Sequence, residues 1–234
     1  MTPEAFSEAL ARFRQQCGAT KERFLLTNET LWPILNEDTD QTSFDRHYTY
    51  HPAWACRVLR RTSPPVHYDF SSTLNFIAMA SAWVPITFCD YRPAQLQLEG
   101  LCTRREDLTH LSFPDNSLGS VSCMHVLEHV GLGRYGDVLD YDGDLKAVAE
   151  LIRVVRGGGN LLIVLPLGRT ARVQFNAHRI YTWAGVLEMF QEQFDLVESA
   201  LIPEQPNLGL VYSPDETLLN AQNYACGCFW FKKR

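Results

Sequence analysis

The stretch Val66–Arg92, VHYDFSSTLNFIAMASAWVPITFCDYR, constrains the fold of this chain more than any other. Val66–Phe70 is a short β-favouring run. Ser71-Ser72-Thr73 supplies hydroxyls suited to a turn and a helix N-cap. Leu74–Trp83 carries apolar residues at helical spacing. Pro85 punctuates the run, and Ile86–Cys89 is a second apolar strand ending at Asp90. Strand, helix and strand in that order make a βαβ unit, which builds parallel sheets. In open α/β sheets the ligand crevice lies beyond the carboxyl ends of the strands, at the switch point. Asp69–Thr73 follows the first strand end, and Asp90 closes the second. A carboxylate there can accept bonds from both hydroxyls of a ribose. The helix opening near Thr73 offers unpaired N–H groups to a ligand carboxylate or phosphate. The same residues also fit an ordinary βαβ unit with two solvated aspartates.

The length of 234 residues suits one large domain, or one domain with an extension. A net charge of −6 argues against a nucleic-acid backbone as main partner, and a small-molecule substrate is expected instead. No apolar run reaches the roughly 18 residues of a membrane span. The N-terminal MTPEAFSEALARFRQQ has an amphipathic helical pattern with charges throughout, unlike a signal peptide. Seven cysteines without a CxxC pair point to reduced thiols and a cytoplasmic location. Cys226 and Cys228 lie two apart in a strand-like run and read as packing residues. No metal is expected.

Residues 1–62 read as an N-terminal helical cap, and residues 63–234 as an α/β domain. Phe6, Leu10 and Phe13 form one apolar stripe. His51-Pro52 opens a helix whose Trp54, Val58 and Leu59 face a core. His47, Tyr48, Tyr50 and His51 cluster at its start. They either pack against the sheet or cap the crevice and lend a histidine or tyrosine to a substrate pocket. Ser63-Pro64-Pro65 stops this segment. Leu101–Arg104 is a third strand, followed by Glu106-Asp107-Leu108, and Val121–Met124 is a fourth. Asp144–Val155 is an amphipathic helix stopped by Gly157-Gly158-Gly159. Asn160–Leu165 is a fully apolar fifth strand, as suits a sheet covered on both faces. Tyr181–Phe190 is a helix, Phe194–Ile202 a sixth strand, Pro203–Gln222 a long loop and Tyr224–Phe231 a last strand.

Two motifs match well-known patterns in the wrong context. His125-Val-Leu-Glu128-His129 is HxxEH, in which two histidines on one helix face bind zinc beside a glutamate base. Here it begins as a strand ends, and Gly131 and Gly133 allow at most about two helical turns. Gly131-Leu-Gly133-Arg-Tyr-Gly136 is GxGxxG, the dinucleotide fingerprint, which needs a strand directly before it and a helix directly after it. Neither flank is present, so the segment reads as an ordered loop with Arg134 and Tyr135 over the crevice.

The order of features resembles the class I methyltransferases that use S-adenosylmethionine. The carrying residues are the acidic strand ends at Asp69 and Asp90, then Glu106-Asp107-Leu108, HVLEHV, and RVVRGGGNLLIVLPLG. More narrowly, HYTYHPAWA, HVLEHVGLGRYGD, DGDLKA, FNAHRIY and CGCFWF resemble an uncharacterised family placed with these enzymes. The resemblance implies a doubly wound, mostly parallel sheet of seven strands, Rossmann-like, with an antiparallel last pair. It implies that Asp69 and the Ser71, Ser72 and Thr73 backbone contact the methionine end of the cofactor. Asp90, with Tyr91, would hold the ribose, and Asp107 and Leu108 the adenine. His125 would border the reacting methyl. Bases for a proton-bearing acceptor are His125, Glu128, His129, Tyr135 and His178. His178-Arg179 would be either a substrate clamp or a structural bond to the loop. Most such enzymes carry DxGxGxG after the first strand, whereas this chain has DFSSTLN. A serine held at positive φ there costs on the order of 1–2 kcal/mol. That departure supports an alternative, a non-catalytic methyltransferase-like binding or scaffold protein.

Overall fold

The structure, a computed structural model, describes residues 1–17 and 24–234. Its contacts divide the chain into two units, Met1–Asp45 and Arg46–Arg234. In the first, α1 spans Pro3–Cys17. Arg14 donates to Asn28 Oδ1 at 2.8 Å. Phe6 and Leu10 are half-buried, but Phe13 is 56% exposed, so one end of the expected stripe stays open.

The second unit runs α2 (Arg46–Thr62), β1 (His67–Phe70), α3 (Leu74–Ala80), β2 (Ile86–Asp90), β3 (Leu101–Arg105), β4 (Leu118–Met124), α4 (Gly143–Val154) and β5 (Val155–Leu167). It continues with β6 (Arg172–Gln174), β7 (His178–Ile180), α5 (Trp183–Phe190), β8 (Phe194–Ile202), β9 (Val211–Tyr212), α6 (Glu216–Asn220) and β10 (Ala225–Lys233). The sheet order is β3-β2-β1-β4-β5-β10-β8-β9. Strands β1 to β5 are parallel, and β10 pairs antiparallel with both β5 and β8. This is the expected mostly parallel sheet, with the two-residue β9 added as an eighth strand at one edge. Strand order reverses between β1 and β4, which creates the switch point.

Strand β5 explains the layering. Leu161, Ile163 and Leu165 enter one core with Val148 and Leu151 of α4 and Phe190 of α5. Leu162 and Val164 enter the other, with Trp54 and Val58 of α2 and Phe76 and Ile77 of α3. Alternate residues point to opposite faces, and both faces are covered, so the strand must be apolar throughout.

Several boundaries differ from expectation. Helix α2 starts at Arg46 and carries Pro52 inside it. His47 and His51 are therefore one turn apart on a single helix face. Helix α3 ends at Ala80, where the Ser81 N–H closes onto Ile77 O. Helix α4 ends at Val154, before the glycines rather than because of them. Those glycines bulge out of β5: the register passes from Leu118↔Val155 to Ser120↔Asn160, and Gly158 has φ 72°. The long segment after β8 contains β9 and α6, and the β6–β7 hairpin stands apart from the main sheet. Among the described residues no helix is long and apolar enough to cross a membrane.

Candidate active site

A cavity of about 390 Å³ opens at the carboxyl ends of the parallel strands, within the ~300–1,000 Å³ usual for small ligands. Ser71 after β1, Asp90 and Tyr91 after β2, and Asp107 and Leu108 after β3 lie on its wall. His125 after β4, then His129 and Tyr135, complete it. Ser71 and Asp90 thus face one hollow. Ser71 has φ 56°, the left-handed region that the sequence implied. Its N–H and hydroxyl both donate to Cys89 O, at 2.9 and 3.3 Å, so the hydroxyl is folded onto β2. Asp90 Oδ1 accepts the Arg92 N–H at 2.6 Å, an Asx turn that fixes the carboxylate at the strand end. Asp107 Oδ1 likewise accepts the Thr109 N–H at 2.9 Å and its hydroxyl at 2.7 Å.

Three expected cofactor contacts lie off this wall. Asp69 is fully buried, and its carboxylate accepts the Ser72 N–H at 3.0 Å and the Ser122 hydroxyl. Burial pushes its pKa up to about 6. The Ser72 hydroxyl accepts the Met124 N–H at 3.2 Å. Thr73 caps α3 through Phe76 N–H at 3.3 Å. Behind Asp69, His67 Nε2–H donates to Ser122 Oγ and Ser120 donates to His67 Nδ1, each at 2.8 Å. This tautomer follows because Ser122 spends its one proton on the carboxylate. The network ties β1 to β4 and fixes the turn that presents Ser71.

The other side of the site is a histidine cluster that holds five of the seven histidines. His125 has φ 57° and is 8% exposed. Its Nδ1–H donates to Glu128 Oε1 at 2.8 Å, while Nε2 lies 3.4 Å from Cys226 Sγ. The His47 ring stacks on it at 5.5 Å and the Tyr48 ring at 5.2 Å. Glu128 is 1% exposed, and its Oε2 has no hydrogen-bond partner. His129 Nδ1–H donates to Ala177 O at 2.7 Å, which places the Nε2 lone pair 3.8 Å from Glu128 Oε1. Burial lowers the pKa of both His129 and His178. The His178 ring stacks on Tyr224 at 5.2 Å, and its Nε2 is buried without a hydrogen-bond partner. Tyr135 packs edge-on against His129, with the Arg92 and Arg134 guanidinium groups over its ring.

Both decoy motifs are explained by local structure. After β4 the chain makes a single 3-10 turn, Leu127–His129, so the two histidines of HxxEH do not share a helix face. The GxGxxG amides serve the chain itself: the Gly131 and Gly133 N–H groups donate to Asp137 Oδ2 at 2.8 and 3.2 Å. Arg179 is 7% exposed and donates to Val130 O and Tyr141 O at 2.6 and 2.9 Å, so it secures this loop as a structural bond. Cys226, read from the sequence as a packing residue, is buried in a core, and the sheet order that brings β10 beside β5 sets its sulfur next to His125.

A family model described as "Caenorhabditis protein of unknown function, DUF268" matches residues 111–207. No curated protein matches the sequence. Among solved structures, the chain is similar to the 1,6-didemethyltoxoflavin-N1-methyltransferase of Burkholderia thailandensis, seen with bound 1,6-didemethyltoxoflavin and S-adenosylhomocysteine. Identity is 14% over 80% of each chain, with a TM-score of 0.56. It is also similar to the N-methyltransferase NodS from Bradyrhizobium japonicum WM9 in complex with S-adenosylhomocysteine, at 12% identity, 77% and 86% coverage, and a TM-score of 0.52. The [4+2]-cyclase SpnF aligns at 15% identity over 78% of this chain and 81% of that one, with a TM-score of 0.54. The fold is therefore that of the class I S-adenosylmethionine-dependent methyltransferases. The cyclase carries it too, so the reaction must be argued from the site.

Proposed function

We propose that this chain is an S-adenosylmethionine-dependent methyltransferase acting on a small molecule. One observation carries the reading: Ser71, Asp90 and the Asp107-Leu108 pair line a single cavity at the switch point. In this reading Asp90, flanked by Tyr91, accepts the ribose hydroxyls. Asp107 and Leu108 adjoin the adenine. The Ser71 turn and His125 border the methionine end. The cofactor supplies a methyl group already activated by its sulfonium. The protein's task is to align the acceptor, which is worth up to ~7–11 kcal/mol at best.

His129 is the base for an acceptor that must lose a proton. Its Nδ1–H is committed to Ala177 O, so the free lone pair is on Nε2. Burial keeps the imidazole neutral near pH 7. The Glu128 carboxylate, 3.8 Å away, stabilises the imidazolium once the proton has moved. Tyr135 holds the ring edge-on, and His178 borders it on another side. Because the Ser71 hydroxyl turns onto Cys89 O, the departure from glycine leaves the cavity open and lends no support to a non-catalytic domain.

Calorimetric titration with S-adenosylhomocysteine tests the reading. The chain should bind it, and Asp90→Ala should weaken binding by roughly 10–100-fold, as expected for lost bonds to a charged acceptor. No heat and no melting shift at millimolar ligand would refute the assignment.

A further inference from the structure

We propose that His47, His125 and Cys226 bind a thiophilic divalent metal ion, with zinc the best match. The three donor atoms come from α2, the turn after β4, and β10, and all lie within 4.8 Å of one another. A tetrahedral zinc, with bonds of about 2.0–2.3 Å, sets neighbouring donors roughly 3.3–3.6 Å apart. Cys226 Sγ and His125 Nε2 already stand 3.4 Å apart. The His47 and His125 rings are stacked with centroids 5.5 Å apart and planes 12° apart, so the partly exposed His47 ring turns on binding to aim a nitrogen at the ion.

The surroundings fit a metal better than a reactive thiol. His125 donates its Nδ1–H to the buried Glu128 carboxylate, so Nε2 carries the lone pair that faces Cys226. Carboxylate, histidine and metal in line is the usual outer-shell arrangement of zinc sites. Cys226 is fully buried, so a substrate has no approach to its sulfur, whereas His47 is partly exposed and leaves a way in for an ion. Beside the trio, His51 is fully buried with its Nδ1–H bound to His47 O at 2.7 Å. Its Nε2 lone pair has no hydrogen-bond partner, and its ring lies 5.1 Å from that of His125. A buried lone pair without a donor beside three metal-type ligands is hard to explain by packing alone.

On binding, the ion forms bonds to Cys226 Sγ, His125 Nε2 and a His47 ring nitrogen. The proton shared by the thiol and His125 leaves to solvent, so uptake releases about one proton per ion. HxxEH thus supplies one ligand, His125, and one outer-shell carboxylate, Glu128, while His129 stays outside the site.

The test uses the full chain, stripped with a chelator and titrated with Co²⁺ and then Zn²⁺. About one Co²⁺ should bind per chain, with near-ultraviolet thiolate-to-cobalt absorption, release of about one proton, and displacement by zinc. Cys226→Ser should abolish that absorption, and His47→Ala should weaken binding at least tenfold. Glu128→Gln should keep the absorption but weaken binding about 10–100-fold. In the unmodified chain held in sub-denaturing urea, where transient opening exposes the buried Cys226 to a maleimide, zinc should slow alkylation of Cys226 and leave that of the exposed Cys102 unchanged. This measurement decides the matter if a variant does not fold. No cobalt uptake, a thiolate band that survives Cys226→Ser, or alkylation of Cys226 that ignores zinc would each overturn the proposal.

Discussion

The two sides of the switch point treat buried polar groups in opposite ways. Under β1, the His67, Ser122 and Asp69 side chains are fully buried, and each is bonded within one network. Around His125, three buried atoms lack hydrogen-bond partners: His51 Nε2, Glu128 Oε2 and His178 Nε2. An unsatisfied buried group costs about 1–3 kcal/mol. The first side therefore has the chemistry of a support, and the second leaves buried lone pairs open to water or to a ligand.

Substitutions on the two sides should separate these roles. The largest effect is expected at His129→Gln, which should lower kcat by roughly 10²–10⁴-fold and leave S-adenosylhomocysteine affinity unchanged in calorimetry. A matching loss of affinity would place His129 in binding rather than proton transfer. On the support side, Asp69→Ala should lower unfolding free energy in urea by about 3 kcal/mol, since the Ser72 N–H and Ser122 hydroxyl both lose their acceptor. A loss under ~1 kcal/mol would mean that the network is dispensable.

Acid should act through the buried histidines of both sides. His51 and His67 have pKa values lowered by burial to about 3, against an ordinary value near 6.5. Between those values the unfolded chain takes up protons that the fold refuses, so stability falls as pH drops from about 6.5 towards 3. Asp69, raised to about 6, works in the opposite sense between pH 4 and 6, because its folded form holds the proton more tightly. Two histidines oppose one carboxyl, so a net fall in melting temperature on acidification is expected. A chain whose melting temperature rises steadily from pH 7 to 5 would contradict this balance. The smallest effect is expected at Ser71→Gly. Relief of the left-handed strain, less the entropy of glycine, should stabilise by about 0.5–1 kcal/mol in denaturant melts.

Much of the fold was legible because its strands carry local signals. Leu161–Leu165 could only be a strand buried on both faces, and Ser71–Thr73 between two apolar runs could only be a turn opening a helix. What failed depended on tertiary context. Gly157–Gly159 read as a helix stop, but α4 had already ended and the glycines serve a bulge against β4. Asp69 read as a ligand group because its position at a strand end does not reveal that Ser122, 53 residues away, donates to it. Asp90 and Asp107 read as pocket residues and do line the cavity, since an acidic residue just past a parallel strand has few other places to go. Cys226 read as packing, and its sulfur does sit in a core, but the sheet order alone places it against His125.

The loop around Asp137 has one more consequence. Its ring of glycine amides is the kind of nest that elsewhere grips a phosphate, and here the chain's own carboxylate occupies it. Asp90 and Asp107 share the cavity wall with Arg92, and the Glu106 and Asp140 carboxylates there are paired with Arg104 and Lys146. A pyrophosphate brought to this loop finds the amides it would need already taken by Asp137.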